Sequence, residues 1–199
     1  MMSNVRGWVV GAVGLALTIG LLTQGGLSTA ADDNKEAVEG VQKLAAALEK
    51  KDSDGAKKLA GELGKKVQME DLMHLFALRT KRGLGVGSKA GAINPDGIER
   101  KLTDLAKKPL PPKQLADEAQ ALTEMGYSMA ALACVASAKP PDKDEGKKKK
   151  KDWITWSEEL RDASLQLATA AKDKKADDLH KAATKADGAC TKCHDVFRE

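Results

Sequence analysis

Apolar residues recur at helical spacing along most of the chain. Ala37, Val41, Leu44 and Leu48 fall four, three and four apart and predict a helix over about 33–51. Ser53 reads as the N-cap of a second helix that buries Ala56, Leu59, Leu63 and Val67. A short third segment, 69–79, leads into "KRGLGVGSKAGAINPDG", a Gly-rich loop over about 83–97. Asp96 is expected to cap a brief helix that ends near Lys107. "KKPLPPK" is a break, because consecutive prolines do not continue a helix. Beyond it the stripe Leu115, Ala119, Leu122, Gly126, Met129, Ala133 predicts a helix over about 112–138.

After the linker "KPPDKDEGKKKKKD", Trp153, Trp156, Leu160, Ala163, Leu167 and Ala170 follow steps of three and four, the seam of a left-handed bundle. The last helix, about 176–198, carries the same seam through Leu179, Ala183, Ala186, Cys190, Cys193 and Phe197. No stretch alternates at period two. The fold class is therefore all-α, with bundle-type seams, additional N-terminal helices and a Gly-rich loop. Beyond Trp8 the aromatics are only Phe76, Tyr127, Trp153, Trp156 and Phe197, so the expected core is Leu- and Ala-rich.

A length of 199 residues fits one domain with an extra arm. The arm is at the front: Arg6, an apolar stretch from Trp8 to Leu22, then the small residues Ser28–Ala31. This is the layout of a secretory signal peptide over residues 1–31, cleaved after Ala30 or Ala31. The apolar run of about 15 residues is short of the roughly 20 that span a bilayer, which disfavours an uncleaved anchor. Residues 32–199 are then a single exported domain, expected in the periplasm, with 142–151 as an exposed Lys-rich linker. The net charge is a modest +4. The run Lys147–Lys151 reads as a solvated loop, or as a charge that steers an acidic partner. "GLGVGSK" lacks both the spacing of a phosphate-binding loop and a preceding strand. No pattern points to nucleic acid, to a small-molecule substrate or to an enzyme. One Cys134 sits among small apolar residues as a buried thiol.

The chemistry concentrates at the end, in "GACTKCHDVFRE". Cys190, Cys193 and His194 stand at i, i+3 and i+4 and share one helical face. Two thiols on one face suit two vinyl groups of a porphyrin edge, and the following imidazole reaches iron; Cys-x-x-Cys-His is a haem c signature. A structural zinc site wants four ligands, and His74, His180 and Cys134 are scattered. A redox dithiol expects a strand–helix setting. A disulfide between i and i+3 on a helix is sterically poor. One covalent haem c is the favoured reading.

"CTKCHDVFR" (Cys190–Arg198) resembles the class II c-type cytochromes, the family that includes cytochrome c′, whose haem motif ends a four-helix bundle as CxxCHxxFR or CxxCHxxYR. The likeness is strongest over 153–199; residues 32–111 depart from it. It implies thioethers at Cys190 and Cys193, His194 as an axial ligand of the iron, and a haem-propionate contact from Arg198. It also implies single-electron transfer with redox partner proteins, or gas binding at a five-coordinate iron.

Only five residues follow His194, so a second axial ligand is expected from upstream. In "QMEDLMHLFALR", Met69, Leu72, Met73 and Phe76 share an apolar face. Met73 is the better-aimed candidate, with His74 the alternative; Met125, Met129 and an open sixth position remain. His180 lies fourteen residues before His194, about 21 Å along the helix, and reads as a surface residue. His74 with Arg79 also offers a distal acid–base pair of peroxidase type. Arg79, Lys81 and Arg82 flank the Gly-rich loop and are candidates to approach the propionates.

Overall fold

The computed structural model describes residues 30–198. Among them are seven α-helices: α1 (Ala30–Glu49), α2 (Ser53–Lys66), α3 (Met69–His74), α4 (Ile98–Lys107), α5 (Pro112–Ala138), α6 (Lys150–Lys172) and α7 (Ala176–Phe197). No strand occurs among the described residues, and the chain is all-α. The signal-peptide expectation falls almost wholly on residues 1–29, which lie outside the described ones. Among the described residues no helix is long and apolar enough to cross a membrane.

Most positions of the predicted stripes are buried, but Leu48, Leu59, Trp153, Trp156, Leu160, Cys190, Cys193 and Phe197 are only partly so. Leu115, Leu122, Met125, Met129, Leu132, Leu167 and Leu179 are all but sealed from solvent. Helix α5 is central: α1 and α2 pack on one side of it and α6 on another. Helix α7 packs on α6 and on α4. At Gly126 the backbones of α5 and α6 come unusually close. A Cβ there would meet the backbone nitrogen of Ala168 at 2.7 Å, so only glycine permits the crossing. Lys139 Nζ donates to the Gly64 carbonyl at 3.1 Å, tying the C-terminal ends of α5 and α2 together.

Helix α4 lies antiparallel on α7, and polar side chains set its register. His180 Nδ1 sits 2.8 Å from the Leu105 carbonyl oxygen, which only accepts, so that nitrogen carries the proton. Thr184 Oγ1 reaches the Ala106 carbonyl and Thr103 Oγ1 reaches Asp187 Oδ1, each at 3.4 Å. His180 is therefore half-buried and engaged, not the free surface residue expected from sequence. On its other side α4 buries Lys101, 3% exposed, whose ammonium pairs with Glu118 of α5 at 2.5 Å. Gln114 donates to the second Glu118 oxygen, so the carboxylate is shared between two donors.

Two capping expectations are corrected. The N-cap of α2 is Asp52 rather than Ser53, with the carboxylate accepting from the Gly55 amide at 2.9 Å. Helix α4 is capped by extended Gly97 with no side-chain bond, because Asp96 turns back into the loop. The third segment is also shorter than 69–79. It leaves α-geometry after His74, and Arg79–Lys81 forms only a 3-10 turn.

Candidate functional site

The last three turns of α7 carry the Cys-x-x-Cys-His residues, and their surroundings follow from the α4–α7 register. Thr103 lies beside Asp187, and one turn earlier on α4 the Glu99 carboxylate is near enough to Cys190 to act on its thiol. Helix α4 begins at Ile98, so α7 runs on past its partner. Cys190 is half-buried against the core, Cys193 is half-buried, and His194 is exposed. The three share one face, as their spacing requires.

The other flank of this overhang is aromatic. Phe197 meets the Trp153 ring edge-on at 5.0 Å and the Trp156 ring at 6.0 Å. Trp153 Nε1 donates to the Ala136 carbonyl at 2.7 Å. One indole therefore ties the end of α5, the start of α6 and the end of α7 together, a geometry in which both its apolar body and its polar N–H are used.

Burial pushes the Cys190 thiol up to about 12, with Asp187, Cys193 and Glu99 adding negative potential. Burial alone pushes Cys193 up to about 11. Both are protonated at neutral pH. A disulfide-exchanging pair needs a lowered thiol, and burial here shifts both thiols the other way. Among the described residues no three His, Cys, Asp or Glu side chains converge as a metal site. The donor set of two S–H groups and an adjacent imidazole fits a covalently held haem.

The upstream candidates divide. The Phe76 carbonyl accepts from the Glu99 amide at 3.0 Å, so the α3–α4 connection is brought up to the end of α7 that holds Cys190. Met73, one turn before Phe76, is half-buried against the core. The contacts bring this connection, rather than the Met73 sulfur itself, toward the motif. His74 is exposed and its Nε2 lies 2.9 Å from the Lys81 carbonyl, a bond that fixes the turn after α3. Met125 and Met129 are sealed inside the α5 stripe. Arg198 is exposed, just past the helix. Cys134 is half-buried, and burial raises its thiol too.

The Gly-rich loop is a built structure centred on Asp96. Its carboxylate accepts from Arg79 Nε (2.9 Å), the Val86 amide (2.8 Å) and the Gly91 amide (3.1 Å). Arg79 Nη2 donates to the Gly87 carbonyl at 2.7 Å, and the Ser88 amide donates to Glu124 of α5 at 2.8 Å. Gly87 has a positive φ of 75°, and its missing Cβ lets the loop lie against Ala121. Arg79 is thus spent on the loop and is available neither to a propionate nor as half of a peroxidase pair.

Burial alone would raise the Asp96 carboxyl, but the Arg79 hydrogen bond, the two amides and the Arg79 charge outweigh it and hold it below the usual range. A depressed carboxylate stabilises the fold above its ordinary pKa and loses that contribution as pH falls through the folded value. Asp96→Asn is expected to flatten the acid limb of thermal stability below about pH 4. It should cost about 2 kcal/mol at neutral pH, read from denaturant midpoints. Parallel acid limbs in the two proteins would contradict this.

Sequence reasoning missed Glu99 as a neighbour of Cys190, and nothing in the spacing pointed to it. Asp187 was visible as the residue one turn before Cys190 on the same helix. The chain matches no protein-family model, no curated protein and no solved structure.

Proposed function

We propose that the protein is an exported monohaem c-type cytochrome that carries single electrons. In this reading α4, α5, α6 and α7 make a four-helix-bundle-like core, with α1 and α2 as additional N-terminal helices on α5. Cys190 and Cys193 hold the haem, and His194 is an axial ligand. The observation that carries the reading is the site at the end of α7: two thiols and an imidazole at i, i+3 and i+4 on one face.

In this reading Cys190 and Cys193 would each hold the haem through a thioether, the thiol proton passing to the neighbouring vinyl carbon so that no oxidant would be needed. His194 stands one residue beyond the second sulfur, exposed and free to turn toward the iron. When bound, the haem supplies a reversible one-electron couple, with the protein setting its ligation and burial. The Trp153–Trp156–Phe197 cluster holds the end of α7 in place on that flank. Met73 is the favoured sixth ligand, because His74 is committed to the Lys81 carbonyl.

A second reading, a five-coordinate protein that binds NO or CO, is favoured by one observation: His74 is engaged elsewhere and Met125 and Met129 are sealed in the core. The test is intact mass together with ferric and ferrous spectra of protein matured with its leader in an exporting host. The expected result is one haem that survives denaturation, low-spin spectra and little CO binding. High-spin spectra with ready CO binding would select the gas-binding reading, and a chain without covalent haem would defeat both.

A further inference from the structure

The Lys147–Lys151 run plays no part in the haem site, yet the fold fixes it there. Glu145 and Lys148 pair their backbones across a tight turn, at 3.0 and 2.7 Å. Asp144 accepts from the Lys150 amide at 2.9 Å and pairs with the Lys149 ammonium at 3.7 Å. The run is therefore a shaped turn that enters α6. Lys150 lies one helical turn before Trp153, the ring that rests on Phe197, itself three residues past His194.

This placement works against helix stability. Lysines in the first turn of α6 face the positive end of its dipole, where acidic residues are favoured. Lys147, Lys150 and Lys151 are exposed, and their side chains enter no ion pair among the described residues. These three ammonium groups stand at or just before the start of α6, the helix whose Trp153 rests on Phe197, and give that end of the molecule a positive field that reaches into solvent.

We propose that Lys147, Lys150 and Lys151 form the docking surface for an acidic face of a redox partner protein, bringing that partner against the end of α7. The identity of the partner as a redox protein rests on the cytochrome reading. An anionic bilayer is the weaker occupant, because adsorption draws on exposed apolar anchors beside the lysines, whereas acidic residues flank this run at Asp144, Glu145 and Asp152.

The test compares the full mature protein with the triple variant Lys147→Gln, Lys150→Gln, Lys151→Gln. Polyglutamate peptide is titrated against each by amide NMR. Oxidation of the ferrous protein is timed with anionic hexacyanoferrate and with a cationic cobalt complex. Amide shifts are expected at 145–157 and at the end of α7, weakened about fivefold or more in the variant and by added salt. The variant should also slow the anionic reagent and not the cationic one. Shifts centred instead on Lys172–Lys175 at the far end, or unchanged in the variant, would overturn the proposal. So would binding to phosphatidylglycerol vesicles without binding to polyglutamate. Haem-free chain that still shows the 145–157 shifts supports the surface while the cytochrome reading fails. Haem-loaded protein without them overturns the surface alone.

Discussion

Replacing both Cys190 and Cys193 with alanine is expected to remove every trace of haem that survives denaturation. On the cytochrome reading each sulfur would make one thioether, so each single variant would retain one bond and the double variant none. Haem staining of a denaturing gel and intact mass read this directly. The fold should survive in the double variant, because Cys190 is only half-buried at the end of α7 and Cys193 more exposed still. Loss of the α-helical circular dichroism along with the haem would point to a structural role for the thiols instead. The raised thiols give the same site a pH signature. In the haem-free chain Cys190 ionises only near about 12 and Cys193 near about 11, because burial disfavours the charged form. Alkylation should therefore be slow at neutral pH and accelerate only in strong alkali. Fast alkylation near pH 7 would mean a reactive dithiol and would count against the cytochrome reading.

Met73→Ala is the second large effect. If the Met73 sulfur is the sixth ligand, the variant loses the sulfur-to-iron charge-transfer band of the ferric protein and gains ready CO binding. Its potential falls too, since methionine ligation favours the reduced state. A tenfold loss of that preference corresponds to about 59 mV for a one-electron couple, and a fall of at least that size is expected. His74→Ala is the control. It removes the bond to the Lys81 carbonyl and loosens the turn after α3, but leaves the spectrum unchanged. Identical spectra in Met73→Ala and the parent would transfer the protein to the five-coordinate reading.

Much of the helical architecture is readable from sequence because it is set by local rules. Pro111 and Pro112 place the start of α5, and its stripe predicted both its ends. The Leu179–Ala183–Ala186 seam of α7 is buried as its spacing required. Errors arose where two polar residues compete for one job. Asp52 and Ser53 both suit an N-cap, and the carboxylate took it. Asp96 suits a cap equally well, but three donors inside the loop outbid the helix. The pairing of α4 with α7 had no periodic signature, because His180, Thr184 and Thr103 make it through polar contacts to specific partners. The candidate haem residues are adjacent in sequence and so could be named from it. The sixth ligand depends on where α3 sits, which no local pattern encodes.

The early start of α4 has one more consequence. Because α7 projects beyond it, His194 is exposed and Cys193 half-buried, while Cys190, opposite Glu99, stays packed against the core. On the cytochrome reading, cofactor loading would then reach the site from the His194 side while Trp153 and Trp156 keep Phe197, and with it the end of α7, on α6. If two sulfurs and an imidazole there gripped a rigid ring, that same end would become harder to unravel. On that reading the overhang would be a point of access first and a clamp afterwards.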